Sequence, residues 1–155
     1  MGHSNWLGEE FESEVERIFC CRVANNVNAL TSAVNQHPIG RCRLDLFLAL
    51  HDEAGTETDN LDVEVDGAAF HDWERDQKRD AWLKTQGVRA VTRVPARMIL
   101  DEDGAILALD ELILEFPQFF GKKAVADRQK IIDYRRDRYF RYLREKEFER
   151  FKASI

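Results

Sequence analysis

Leu61-Asp62-Val63-Glu64-Val65-Asp66-Gly67 is the stretch on which the fold of this chain turns. Apolar and acidic residues alternate strictly up to the glycine, which is the two-residue period of a β-strand ending at a turn. One face of that strand is leucine and valine, and the other is carboxylate. Three acids on one face repel one another unless a cation lies against them, and a divalent metal is the economical partner. The competing reading is a solvated outer face, as on many antiparallel sheets.

Working outward, Ala68-Ala69-Phe70-His71 forms a short loop, and an amphipathic segment from Asp72 to Gln86 reads as a helix closed by Gly87. Its Trp82 and Leu83 point to the core, and Arg75, Asp76, Arg79 and Asp80 occupy the polar turns. Residues 88–94 read as a second strand, reached by a right-handed crossover and parallel to the first. On the N-terminal side, Arg41 to Leu50 is an apolar strand interrupted by one acid, Asp45, which costs free energy unless paired or bound. The polar segment from His51 to Asn60 turns the chain back, so the two strands form an antiparallel hairpin with Asp45 close to Glu64 or Asp66.

Residues 8–24 read as a first helix, with Glu9, Glu10, Glu12, Glu14 and Glu16 in its early turns and Phe11, Val15, Ile18 and Phe19 as its apolar stripe. A weak strand follows over 29–34, before a turn at Pro38 and Gly40. Pro95 opens a short helix to about Leu100. Asp101-Glu102-Asp103-Gly104 reads as a solvated turn, because it lacks calcium-loop spacing, and Ala105 to Phe116 is a helix stopped at Pro117. From about Val125 to Lys152 runs one long helix with an apolar stripe of Ile132, Tyr139, Leu143 and Phe151. It serves either as a packing helix and homodimer contact or as an arginine-and-aromatic surface for nucleic acid, with Arg135 and Arg138 among its cations.

The 155 residues suit one domain of ordinary core size, at 44% hydrophobic and 34% charged. No apolar run approaches the roughly 20 residues of a membrane span and no signal-peptide pattern opens the chain, so no membrane partner and a cytoplasmic location are expected. Cys20, Cys21 and Cys42 form neither a disulfide framework nor a metal knuckle and read as buried free thiols. The net charge of −6 is segregated: residues 121–155 hold 12 Lys and Arg against 6 Asp and Glu, net +6, leaving 11 against 23, net −12, in residues 1–120. A basic tail beside an acidic body can supply phosphate contacts while the body supplies metal ligands.

Gly40-x4-Asp45, then Glu64-Val65-Asp66-Gly67-x3-His71, then Arg75-Asp76-x2-Arg79-Asp80-x2-Leu83-x3-Gly87-x3-Val91-x-Arg93, together resemble the very-short-patch-repair-like branch of the PD-(D/E)XK nuclease superfamily. The similarity covers roughly residues 13–115. It implies an α/β fold, a central mixed β-sheet flanked by helices with a restriction-endonuclease-like core over 1–120, and a basic helical extension over 121–155. It further implies a metal-dependent endonuclease acting on DNA, with Mg²⁺ or Mn²⁺ as cofactor. In that reading Asp45 is the metal-binding aspartate, Glu64 the acid of the E-x-K element, Asp66 stands in the place of its lysine, and His71 matches the branch's histidine. Glu16, in Ser13-x2-Glu16, looks like the first-helix glutamate, with Glu12 and Glu14 as the alternatives.

These residue types suit phosphodiester hydrolysis. A hard cation held by Asp45, Glu64 and the Val65 carbonyl polarises the phosphoryl group, His71 moves the proton, and Glu16 orients water or His71. Phe70, Arg75, Arg135 and Arg138 are the expected nucleic-acid contacts. Ala68 stands where mismatch-nicking relatives have a zinc-binding cysteine, so no structural zinc is expected. Asp66 removes the positive charge a lysine would supply. The competing reading is therefore a catalytically silent nucleic-acid-binding or assembly module that keeps the fold.

Overall fold

The structure is a computed structural model describing residues 13–67 and 73–155. Ser13 opens helix α1 (Glu14–Ala24), its hydroxyl accepting from the Glu16 amide at 3.1 Å. The expected segment before residue 13, with Glu9, Glu10, Phe11 and Glu12, lies outside the described residues. The helix buries Phe19, Cys20, Val23 and Ala24, whereas Ile18, expected in the stripe, is exposed. Cys21 and Cys42 are only half-buried, so Cys20 is the one of the three free thiols that enters the core.

Strand β1 (Thr31–Ile39) is longer than its weak pattern suggests and runs through Pro38 instead of turning there. It is an edge strand, where a missing amide is tolerated. Gly40 and Arg41 form a two-residue connection to β2 (Cys42–His51), in which Ile39 and Cys42 are register partners. Gly40 has φ +57°, and a Cβ there would stand 2.9 Å from the Trp82 ring, so both the turn and the overlying indole require glycine. Trp82 therefore covers this hairpin and stays partly exposed rather than entering the core.

β2 pairs antiparallel with β3 (Glu57–Asp66), as the hairpin reading requires, with Leu46 opposite Val63 and Leu48 opposite Leu61. Helix α2 (Trp73–Thr85) then leads to β4 (Val91–Pro95), which pairs parallel with β3. β4 begins at Val91 rather than at 88. Val88 is instead a buried plug, and the preceding turn is held by Asn60, which donates to the Gly87 carbonyl at 2.8 Å and accepts from the Arg89 amide at 2.7 Å. The four-stranded mixed sheet thus has the order β1-β2-β3-β4.

Helices α3 (Ala96–Ile99) and α4 (Glu102–Glu115) follow. The run Asp101 to Gly104 is the start of α4 and not a solvated turn. Asp101 caps it, Glu102 and Asp103 fill the first turn where helix amides favour acids, and Gly104 is so close to the Met98 carbonyl that a Cβ would sit 2.1 Å from it. α1, α3 and α4 cover Leu46, Leu48, Leu61 and Val63 on one sheet face, while α2 lays Leu83 on Phe47 and Ala49 on the other.

A short 3₁₀ turn (Pro117–Phe119) leads into α5 (Lys122–Ser154), 33 residues long. It lies on α4 through Ile132 and Tyr139, which pack with Leu107. Beneath them Asp110, 0% exposed, receives Arg135 at 2.7 Å and Arg128 at 3.2 Å. From Arg144 to the end every residue is exposed. Breaking a buried ion pair from one side leaves charge unpaired, so Asp110→Ala is expected to cost about 3 to 5 kcal/mol in urea unfolding. A loss below about 1 kcal/mol, the range of an exposed pair, would show that this contact does not hold α5.

Candidate active site

The carboxylate face of β3 is turned toward α2 and is buried: Asp62 is 0% and Glu64 8% exposed. The alternation that promises one wet face therefore holds for side-chain direction but not for solvent. α2 covers the acids because Leu83 and Val88 pack on Phe47 and Ala49 of the same face. Buried carboxylates demand counter-charge. Arg79 of α2 meets Glu64 at 2.9 Å and also donates to the Arg43 carbonyl at 3.2 Å, so one guanidinium ties α2 to β2 and β3. Arg93, beside Glu64 in the parallel register, makes a two-pronged pair with Asp80 of α2 at 2.8 and 2.6 Å.

Asp45 arrives from β2. The register of Leu46 with Val63, carried one residue further, sets it against Glu64. Its Oδ2 accepts from the Val65 amide at 2.8 Å, so a side chain bridges the strands where the regular ladder stops. Val65 itself pairs with Val94, and Asp66, half-buried at the end of β3, with Pro95.

Counter-charge does not complete the hydrogen bonding. Asp62 and Glu64 lie within hydrogen-bonding reach of each other, but two carboxylates have no proton to share, and neither Asp62 oxygen has a donor among the described residues. Glu64 Oε1 meets Arg79 as an ion pair without hydrogen-bond alignment. Burial accordingly raises the Asp62 carboxyl to about 6, with Glu64 and Arg79 pulling it back. Burial likewise raises Glu64 to about 7, reinforced by Asp62 and opposed by Asp45 and Arg79. A proton or a further cation placed among these oxygens relieves the strain.

Glu16 joins them from α1. It is 2% exposed and accepts from Gln36 Nε2 at 3.2 Å, whereas Glu14 is exposed and pairs with Arg17, which favours Glu16 over Glu14, Glu12 lying outside the described residues. Gln36 has φ +50°, a left-handed conformation costly for a residue with a side chain, and it lies across β1 from Asp45 in the register. The Cys20 thiol, one turn beyond Glu16, is pushed up first by burial and then by the charges of Glu16, Asp45 and Glu64.

The structure thus brings Asp45 and Glu64 together, with Asp66 at the strand end, and holds Glu16 on α1 against Gln36 of β1. His71, Phe70 and Ala68 lie outside the described residues. Arg75 is on the exposed side of α2. Arg135 and Arg138 are not part of this cluster: they are drawn to Asp110 and Asp103 of α4. Sequence reasoning placed Asp62 only among the three acids of a strand face read as metal-facing or solvated, and Arg79, Asp80 and Arg93 only within the motif pattern, with no individual site role. The available signal was Asp62 standing two residues before Glu64 on the same strand face, opposite arginines placed within the next element and strand.

Two carboxylates from neighbouring strands are the type and number of ligands that Mg²⁺ takes while keeping water, so Asp45 and Glu64 fit such an ion. Among the described residues no group of three His, Cys, Asp or Glu side chains is gathered to hold a metal by itself. No protein-family model, curated protein or solved structure matches the chain.

The raised carboxyls give a signed pH dependence. Both acids ionise near pH 4 in the unfolded chain, at about their ordinary values, but only at about 6 and 7 in the folded one. Their stabilising contribution is therefore present below pH 4 and is lost as pH rises through 6 to 7. In EDTA the wild type is expected to lose a few kcal/mol between pH 5 and pH 8, and Asp62→Asn to lose about half as much. Equal slopes in urea titrations of the two proteins would show that Asp62 is not strained.

Proposed function

We propose that this chain is a Mg²⁺-dependent endonuclease hydrolysing DNA phosphodiesters, of the PD-(D/E)XK kind its motifs resemble, with a restriction-endonuclease-like core. The observation that carries the reading is Asp45 and Glu64 close together on neighbouring strands, beside an Asp62 whose two buried oxygens have no hydrogen-bond donor among the described residues. An acid face that is merely structural gains nothing from such a deficit.

In this reading Asp45 and Glu64 hold the ion, which when bound supplies Lewis acidity toward the phosphoryl oxygen and an acidified water. Asp62, in contact with Glu64, keeps that carboxylate electron-rich. Arg79 and Arg93 are the cations nearest the face where Asp66 supplies none, each held by a carboxylate, Glu64 for Arg79 and Asp80 for Arg93. His71, five residues after Asp66 in the sequence, takes the proton from the attacking water, whose oxygen bonds to phosphorus as the leaving strand's P–O bond breaks and the released oxygen takes a proton from solvent. Glu16, held by Gln36, orients that water. Arg75 and Phe70 contact the nucleic acid.

One observation favours the second reading, a silent nucleic-acid-binding or assembly module. Arg79 already neutralises Glu64, and Asp66 occupies the lysine's place.

Plasmid nicking and oligonucleotide cleavage with Mg²⁺, Mn²⁺ or EDTA separate the two. The wild type is expected to cut only with metal, and Asp45→Ala and Glu64→Ala each to lower the rate at least about a hundredfold, as for loss of a directly acting group. Mg²⁺ is also expected to raise the melting temperature of the wild type at pH 8, and not that of Asp45→Ala. No cutting and no thermal shift, with salt-sensitive DNA binding retained, would leave the silent module.

A further inference from the structure

A cavity of about 250 Å³ opens beside the acid cluster, between the first turns of α2 and β4, lined by Trp73, Asp76, Gln77, Asp80 and Arg93. The Trp73 indole is 72% exposed, on a helix whose buried face is carried by Leu83. Core packing therefore does not explain a tryptophan there. The remaining lining is polar and has defined roles: carboxylates that accept, a Gln77 amide that both donates and accepts, and a guanidinium already fixed to Asp80. Arg93 is also the register neighbour of Glu64, so the cavity is one side chain away from the proposed hydrolytic site.

We propose that this cavity receives a single unstacked nucleobase, stacked on Trp73 and read along its edge by Asp76, Gln77 and Asp80. The proposal rests on the nuclease reading only for nucleic acid as the ligand. An aromatic wall with in-plane hydrogen-bonding groups is what a base removed from its stack requires, because its π face and its polar edge must both be satisfied. Among the described residues the lining offers the carboxylates of Asp76 and Asp80 and the Gln77 amide oxygen as acceptors, which favour bases with amino N–H donors. Adenine, guanine and cytosine fit this edge better than thymine. The base thus enters the cavity while its flanking phosphate faces the Arg93–Glu64 side.

The test is binding of short labelled adenine, cytosine and thymine oligodeoxynucleotides in EDTA, read by anisotropy and by quenching of indole emission. The wild type should bind the adenine and cytosine strands more tightly than thymine. Trp73→Ala should weaken binding about tenfold, the usual scale for losing one stacked base, while Trp73→Phe stays within about threefold because a stacking ring remains. Quenching should disappear in Trp73→Phe although binding persists. Unaltered binding by Trp73→Ala, equal losses in Ala and Phe, equal affinity for thymine, or no binding by the wild type would each overturn the site. Cleavage with Mg²⁺ is followed separately. Cutting with an unchanged KM in Trp73→Ala removes the base site and leaves the nuclease, whereas Trp73-dependent binding without cutting removes the nuclease and leaves the base site.

Discussion

Everything near the candidate site follows from covering an acidic strand face with a helix. Asp62 and Glu64 lose their water when Leu83 of α2 settles on Phe47 and Ala49. That desolvation is far too costly to leave alone, and Arg79 and Arg93 are the local answer. The answer is incomplete, because guanidiniums reach Glu64 and Asp80 but leave the Asp62 oxygens without donors. Hydrophobic packing of Leu83 thus holds an electrostatic deficit in place beside it, on the same face of α2 as Arg79. A deficit of this kind is useful where a cation is to be bound, and it also explains why the acids favour their protonated forms.

The opposite face of the sheet is conventional by comparison. Leucines and valines of β2 and β3 meet α1, α3 and α4, and this layer gives the acids a rigid backing. Two departures from regular sheet geometry lie next to Asp45. Its carboxylate accepts the Val65 amide, and Gln36, across the register, adopts a left-handed backbone while its side chain donates to Glu16. These two departures fall where function is proposed, while a further register shift lies at Leu50 and His51, at the other end of β2.

The basic C-terminal helix has a different character. Its positive charge does not form a free surface along the docked half, because Arg128 and Arg135 close on Asp110 and Arg138 on Asp103. Much of the segregation between a basic tail and an acidic body is internal pairing between α5 and α4. The exposed half, from Arg144 onward, leaves α4 behind and carries Phe148 and Phe151 into solvent.

Several elements were legible in the linear pattern because their cause is local. The alternation at Leu61 to Asp66 gives a strand, the apolar run around Asp45 gives its hairpin partner, Gly87 ends a helix, and the glycine- and proline-free stretch after Gly121 gives one long helix. The pairing of Asp45 with Glu64 follows from the hairpin alone, since register is a short-range property. Burial is not short-range. Whether the acids of β3 face water or α2, whether Arg79 and Arg93 turn outward or inward, and whether Arg135 faces a ligand or Asp110 depends on elements far apart in the chain. The run Asp101 to Gly104 makes the same point: its acids suit a turn or a helix start equally well, and the contact of Gly104 with the Met98 carbonyl decides. Periodicity determined by itself which side chains share a face. Only the tertiary structure decided what covers each face, because desolvation and counter-charge are set by neighbours the chain brings from elsewhere.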